Sequence, residues 1–159
     1  MKIRTGFGYD VHQLKEGETF LLGGVQIKHS KGATGHSDAD VLIHAICDAV
    51  LGAANLGDIG NHFPDTDPDF KGIDSRILLR KVIKLITERG YSLMNLDSTI
   101  CLQQPKISPY LPDMKKCLAE VIGVEEDDIS IKATTTEKLG FIGREECVSA
   151  YAIVLIMKE

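Results

Sequence analysis

Three things are missing from this sequence: a Cys-x-x-Cys pair, an apolar run of bilayer length and an excess of positive charge. Each absence removes a class of function. Cys47, Cys101, Cys117 and Cys147 stand far apart, so neither a zinc ribbon nor a dithiol redox motif is signalled, and reduced, mostly buried thiols are expected. The longest apolar stretch, Ala152 to Met157, is far shorter than the ~20 residues that span a membrane. The opening Met1-Lys2-Ile3-Arg4-Thr5-Gly6 has no signal-peptide core. The expectation is an interior protein with no membrane partner: cytoplasmic in a bacterium, or plastid-type if a targeting segment has been removed. A formal net charge of -5 lacks the electrostatic footprint of a nucleic-acid binder, so no nucleic-acid partner is expected.

What is present describes an ordinary globule. Hydrophobic residues make up 43% and charged residues 26% of 159 positions, which suits one domain, 1–159. Strand and helix patterns alternate without a repeat or linker, giving an α/β (α+β layered) class with a mixed sheet. Ile3 to Val11 reads as a strand, and Phe20 to Ile27 as a second with a turn or bulge at Gly23-Gly24. A helix opens near Asp38 and runs to about Ala54. Ser75 to Arg89 is another helix, with Asp74 or Ser75 as N-cap and Gly90 at its stop. Met94 to Leu102 is a strand, Pro112 suits the first turn of a helix ending at Gly123, and Ile129 to Thr135 and Val148 to Met157 complete the sheet. The last strand is apolar on both faces, so one face should pack on helices and the other on a second copy of the chain.

Asp10-Val11-His12 and His44 carry the chemistry. In a strand alternate side chains share a face, so Asp10 and His12 point together while Val11 should point into the core. On the following helix Leu42, Ile46, Ala49 and Ala53 form an apolar stripe, with Asp40, His44 and Asp48 opposite. One carboxylate and two imidazoles are a zinc set, and three protein ligands leave a fourth position for substrate. Asp40 and Asp48, one turn from His44, could orient its ring. The plainer alternative is that a helical His is a surface or hydrogen-bonded residue and that Asp-x-His occurs by chance.

Two further segments stand out. Asn55 to Asp74 is too long for a plain connection and suits a lid or binding loop, with Gly57, Gly60 and Gly72 giving it freedom. Its Asp65-Thr66-Asp67-Pro68-Asp69 core is no calcium loop, because Phe70 and Arg76 occupy the places that need Gly and Glu. Asx turns or carboxylates gripping substrate hydroxyls both explain it. Glu125-Glu126-Asp127-Asp128 reads as a solvated loop. In Lys132-Ala133-Thr134-Thr135-Thr136-Glu137-Lys138, hydroxyls and backbone N–H groups can donate to phosphoryl oxygens and Glu137 is a hard oxygen ligand for magnesium or manganese, with Arg144 as a further anion donor. Threonine's preference for strands is the alternative. The loop Gln103-Gln104-Pro105-Lys106-Ile107-Ser108-Pro109 could present backbone groups to a flat heterocycle.

Taken in order, Gly8-Tyr9-Asp10-Val11-His12, Gly35-His36-Ser37-Asp38-Ala39-Asp40, Gly57-Asp58-Ile59-Gly60, His62-Phe63-Pro64-Asp65-Thr66-Asp67, Gln104-Pro105-Lys106 and Lys132 to Phe141 resemble the 2-C-methyl-D-erythritol 2,4-cyclodiphosphate synthase family over essentially the whole chain. Glu146-Cys147 departs from it, since glycine is expected after the acidic residue. The resemblance implies a lyase of non-mevalonate isoprenoid (terpenoid) precursor biosynthesis that converts 4-diphosphocytidyl-2-C-methyl-D-erythritol 2-phosphate to the 2,4-cyclodiphosphate and CMP. It implies one zinc per chain on Asp10, His12 and His44, and magnesium or manganese at Glu137. It assigns His36 and Thr135 to transition-state stabilisation, and His36 and Ser37 to phosphate contact. Asp58, Ile59 and Gly60, with His62, Phe63, Pro64, Asp65, Thr66 and Asp67, would surround the methylerythritol. Leu102, Gln103, Gln104, Pro105, Lys106, Ile107, Ser108, Ala133, Thr134 and Thr135 would hold cytidine and its phosphates, with Thr136 beside them. A homotrimer with sites between subunits is implied. Two alternatives remain: a metal phosphohydrolase of a nucleotide diphosphate, and a non-catalytic trimer holding an isoprenoid diphosphate on its axis against Phe141 and Arg144.

Overall fold

In a computed structural model, which describes residues 1–64 and 66–159, the chain forms β1 (Lys2–Glu16), β2 (Leu21–Leu22), β3 (Val25–Gln26), β4 (Lys31–Thr34), α1 (Val41–Ala53), α2 (Ile59–His62), α3 (Ser75–Glu88), β5 (Ser92–Cys101), α4 (Leu111–Ile122), β6 (Ile129–Thr134), α5 (Gly140–Gly143) and β7 (Cys147–Lys158). The main sheet runs β4-β1-β7-β5-β6, with only β5 and β6 parallel. It is the mixed sheet expected, with α1 packed on β1 and β7. Among the described residues no helix is long and apolar enough to cross a membrane.

Four details differ from the sequence expectation. β1 continues to Glu16 because its end pairs with β4, a four-residue strand too short to show a pattern of its own. Phe20 to Ile27, expected as one strand, is a tight hairpin of two short strands, with the expected turn at Gly23 and Gly24, whose φ angles of 57° and 76° favour glycine. α1 is capped by Asp40 rather than opening near Asp38. It is also buried nearly all round, Val41, Ile43, Cys47, Val50 and Leu51 included, because α3 and the hairpin cover the side away from the sheet.

Helix and sheet meet closely at one place. A Cβ on Gly6 would fall 1.8 Å from the Ala49 carbonyl oxygen, and one on Gly8 1.9 Å from that of Ala45, so glycine lets β1 lie directly on α1. Alternate β1 residues therefore face α1: Gly6, Gly8, Asp10 and His12. Val11 belongs to the other set. It does not point into the core but is 40% exposed on the opposite sheet face, beside Phe7, Tyr9, Tyr151 and Ile153.

Candidate metal and phosphate site

The glycine contact sets the height at which Asp10 and His12 meet His44, one turn before Asp48 on α1. Asp10 Oδ2 lies 2.8 Å from His12 Nε2 and 3.1 Å from His44 Nδ1, and the two ring nitrogens are 3.0 Å apart. A tetrahedral ion with bonds near 2.0 Å spaces its ligands by roughly 3.3 Å, so the three atoms already stand almost at ligand separation. The other ring nitrogen of His12 also fits, because Nδ1–H donates to the Thr34 carbonyl at 3.1 Å, leaving the Nε2 lone pair for a metal. Burial pushes the Asp10 carboxyl up, but hydrogen bonds from His12 and His44 outweigh burial and hold it well below the usual carboxylate range. Burial lowers His12, and the Asp10 bond reverses this and raises it. A cluster that holds a proton this way has the donors to exchange it for a divalent cation.

The cluster floors a cavity of about 300 Å³, walled by His36, Ser37, Asp48, Ile59, Gly60 and Phe63 among others. Asp48 does not orient His44: its Oδ1 accepts the Ile59 N–H at 2.7 Å and so fastens the 55–74 loop over the cavity. Asp40 does not orient it either. Fully buried, it accepts from Gly23 N, Gly24 N and Ile43 N at 2.9, 2.7 and 3.1 Å, binding the hairpin to the start of α1. Burial raises its carboxyl, with those three N–H groups pulling the other way. The partners of the His44 ring are Ser75 Oγ and Ser37 Oγ, each 2.9 Å from Nε2. Sequence reasoning missed Ser75 in this role, having read it only as a helix start.

The remaining loop positions divide. Asp58 caps α2 by accepting from Asn61 N, and Asp67 makes an Asx turn to Asp69 N at 2.9 Å. His62 turns to the Leu56 carbonyl at 2.8 Å, while Phe63 packs edge-on against Phe70, centroids 5.4 Å apart. Pro64 and Thr66 are exposed. Asp65 lies outside the described residues. Phe70, Ile73 and Leu78 also line the cavity, and nothing in the sequence pattern separated them from core residues.

A second cavity of about 350 Å³ is lined by Leu102, Gln103, Gln104, Pro105, Lys106, Ile107, Ser108, Ala133, Thr134 and Thr135. It forms because β5 and β6 are parallel neighbours and both loops leave the same edge. The Gln104–Pro105 peptide is cis. Glu137 and Lys138 adopt left-handed backbone, φ 53° and 64°, and Lys138 N donates to Gln103 Oε1 at 3.1 Å, docking the threonine loop on the proline loop. Thr135 Oγ1 lies 3.4 Å from Glu137 Oε1, whereas Thr136 Oγ1 donates back to the Leu139 carbonyl. Phe141 is exposed, and Arg144 is held by Glu146 at 2.6 Å. Among the described residues none lines both cavities.

The YgbB family profile matches residues 3–157. A 2-C-methyl-D-erythritol 2,4-cyclodiphosphate synthase of Bacteroides fragilis is 62% identical over 156 residues, covering 98% of both chains. The bifunctional IspDF of Campylobacter jejuni superposes with a TM-score of 0.96 at 44% identity over 99% of this chain, which spans 43% of that larger protein. A 2C-methyl-D-erythritol-2,4-cyclodiphosphate synthase solved in a CDP-bound form gives a TM-score of 0.90 at 37% identity, covering 97% of this chain and all of the other. The chain belongs to the YgbB family.

Proposed function

We propose that residues 1–159 form one catalytic domain that converts 4-diphosphocytidyl-2-C-methyl-D-erythritol 2-phosphate to the 2,4-cyclodiphosphate and CMP. The observation that carries it is the Asp10, His12 and His44 cluster at ligand spacing on the floor of a cavity edged by His36 and Ser37. The bond that forms joins a 2-phosphate oxygen to the β-phosphorus. The bond that breaks joins that phosphorus to the oxygen bridging to the α-phosphate, and CMP leaves with both electrons. An intramolecular transfer needs no protein nucleophile, only a folded substrate, neutralised charge and an in-line approach.

Bound by Asp10, His12 and His44, zinc would polarise a phosphoryl oxygen, and magnesium or manganese at Glu137 would neutralise charge on the diphosphate. His36 and the Ser37 hydroxyl reach the same cavity and donate to the phosphates. Ile59 and Gly60, fastened by Asp48, wall off the methylerythritol from water. The second cavity takes cytidine, its proline loop against the base and Thr134 and Thr135 toward the phosphates.

The two cavities serve one substrate if they face each other across subunits, and the bare sheet face supports a homotrimer. Phe7 is 62%, Ile153 51% and Tyr9 41% exposed in the single chain, an apolar surface that association would cover. The test is incubation with the cytidyl substrate and phosphorus NMR of the products. CMP with a cyclic diphosphate is expected. A linear monophosphate as the main co-product would replace the synthase by a phosphohydrolase.

A further inference from the structure

With a metal held on Nδ1, beside Asp10 and His12, the His44 ring carries its proton on Nε2, and that proton needs an acceptor. Two hydroxyls compete for it at the same 2.9 Å, and their surroundings decide between them. Ser75 is fully buried. Its own hydroxyl hydrogen goes to Asp38 Oδ1, whose other oxygen accepts Ser75 N at 2.9 Å, so Ser75 Oγ turns lone pairs, not a hydrogen, toward His44. Ser37 Oγ lines the open cavity and accepts from Ala39 N at 3.3 Å, which leaves its hydrogen free to meet an anion. Burying a hydroxyl is costly unless it is hydrogen-bonded, and Ser75 meets that cost by filling both of its roles, toward Asp38 and toward His44.

We infer that Ser75 and Asp38 are positioning residues for the metal: His44 Nε2–H donates to Ser75 Oγ, and Ser75 Oγ–H donates to the Asp38 carboxylate. The relay fixes the tautomer and plane of His44 and makes Nδ1 a better donor. It also joins the start of α3 and the loop before α1 to the metal ligands, although neither segment supplies a ligand. This rests on the metal site proposed above. The division of labour follows: Ser75 serves the metal, and Ser37 is left to serve the substrate.

The test is the zinc Kd, by chelator competition, for wild type, Ser75→Ala, Asp38→Asn and Ser37→Ala, with the unfolding midpoint of each metal-free protein and the visible spectrum of each cobalt-loaded one. Ser75→Ala is expected to weaken zinc binding about 10- to 100-fold, with one ion still bound at saturation. Its metal-free midpoint should stay unchanged and its cobalt bands should shift. Asp38→Asn should act in the same direction but less, and Ser37→Ala should stay within about threefold of wild type. Wild-type affinity in Ser75→Ala, or a loss that appears in Ser37→Ala instead, would overturn the relay. A wild-type protein that takes up no zinc would overturn the metal site itself, and the relay with it.

Discussion

Tyr9 and Tyr151 stand opposite each other in the β1–β7 pairing, ring centroids 4.9 Å apart, on the sheet face turned away from α1. β1 therefore carries the candidate ligands Asp10 and His12 on one side and, with β7, an aromatic and aliphatic surface on the other. Ile153→Asp places a charge on it and should convert the proposed trimer to monomer in analytical ultracentrifugation. A wild-type chain sedimenting as a monomer at micromolar concentration would remove this surface from the assembly.

Sharing of the site between subunits can be read from mixed assemblies. His44→Ala damages only the metal cavity and Thr135→Ala only the second cavity. Refolded as an equal mixture, random trimers should regain activity at about a quarter of their sites. Activity no greater than the sum of the parents, with mixed trimers seen by native mass spectrometry, would place the whole site within one chain.

Gly8→Ala sets a methyl group against the Ala45 carbonyl, and backbone cannot move aside as a side chain can. The strand should lift from α1 at a cost of about 1–3 kcal/mol, and the separation of Asp10 and His12 from His44 should grow with it. Zinc titration should then show weaker binding in a protein that still folds. Unchanged affinity would mean that the helix follows the strand.

Asp40→Ala strands three backbone donors, two of them in the hairpin turn. Loss of a buried charged cap of this kind should cost about 2–4 kcal/mol and lower Tm by roughly 5–15 °C. Asp40→Asn, which keeps one acceptor oxygen, should fall between. Calorimetry showing no change for the alanine variant would leave the cap without a stabilising role.

The shifts at Asp10 and His12 set opposite pH trends with and without zinc. In the metal-free protein His12 is raised from 6.5, so its contribution is full below that value and lost as pH rises through the folded value. Asp10 is lowered from 3.8, so its contribution is present above that value and lost as pH falls toward the folded one. Zinc requires His12 unprotonated. The zinc-induced rise in Tm should therefore grow as pH increases from about 5 to 8, and a rise independent of pH would contradict the ligand set.

The segments that became α1, α3, α4, β5, β6 and β7 were legible because periodicity, Asp74, Pro112, Gly90 and Gly123 are local signals whose physics acts within a few residues. The pairing of Asp10 with His12 was legible for the same reason: the alternation of a strand is a property of the backbone. The ordered motifs from Gly8 to Phe141 carried the family. What α1 was packed against was not local. Its burial on every side, the exposure of Val11 and the capture of Asp40 by a hairpin that starts twenty residues earlier depended on which elements lay against which. The choice of Ser75 and Asp38 over Asp40 and Asp48 as partners around His44 was of the same kind. A carboxylate one helical turn from an imidazole is a neighbour by spacing, but its hydrogen bond goes to the N–H that tertiary packing leaves without another acceptor. Residue types and their local periods determined which groups could hold a metal; only the fold decided which neighbours would hold those groups still, because a buried donor must be paired wherever the chain brings it.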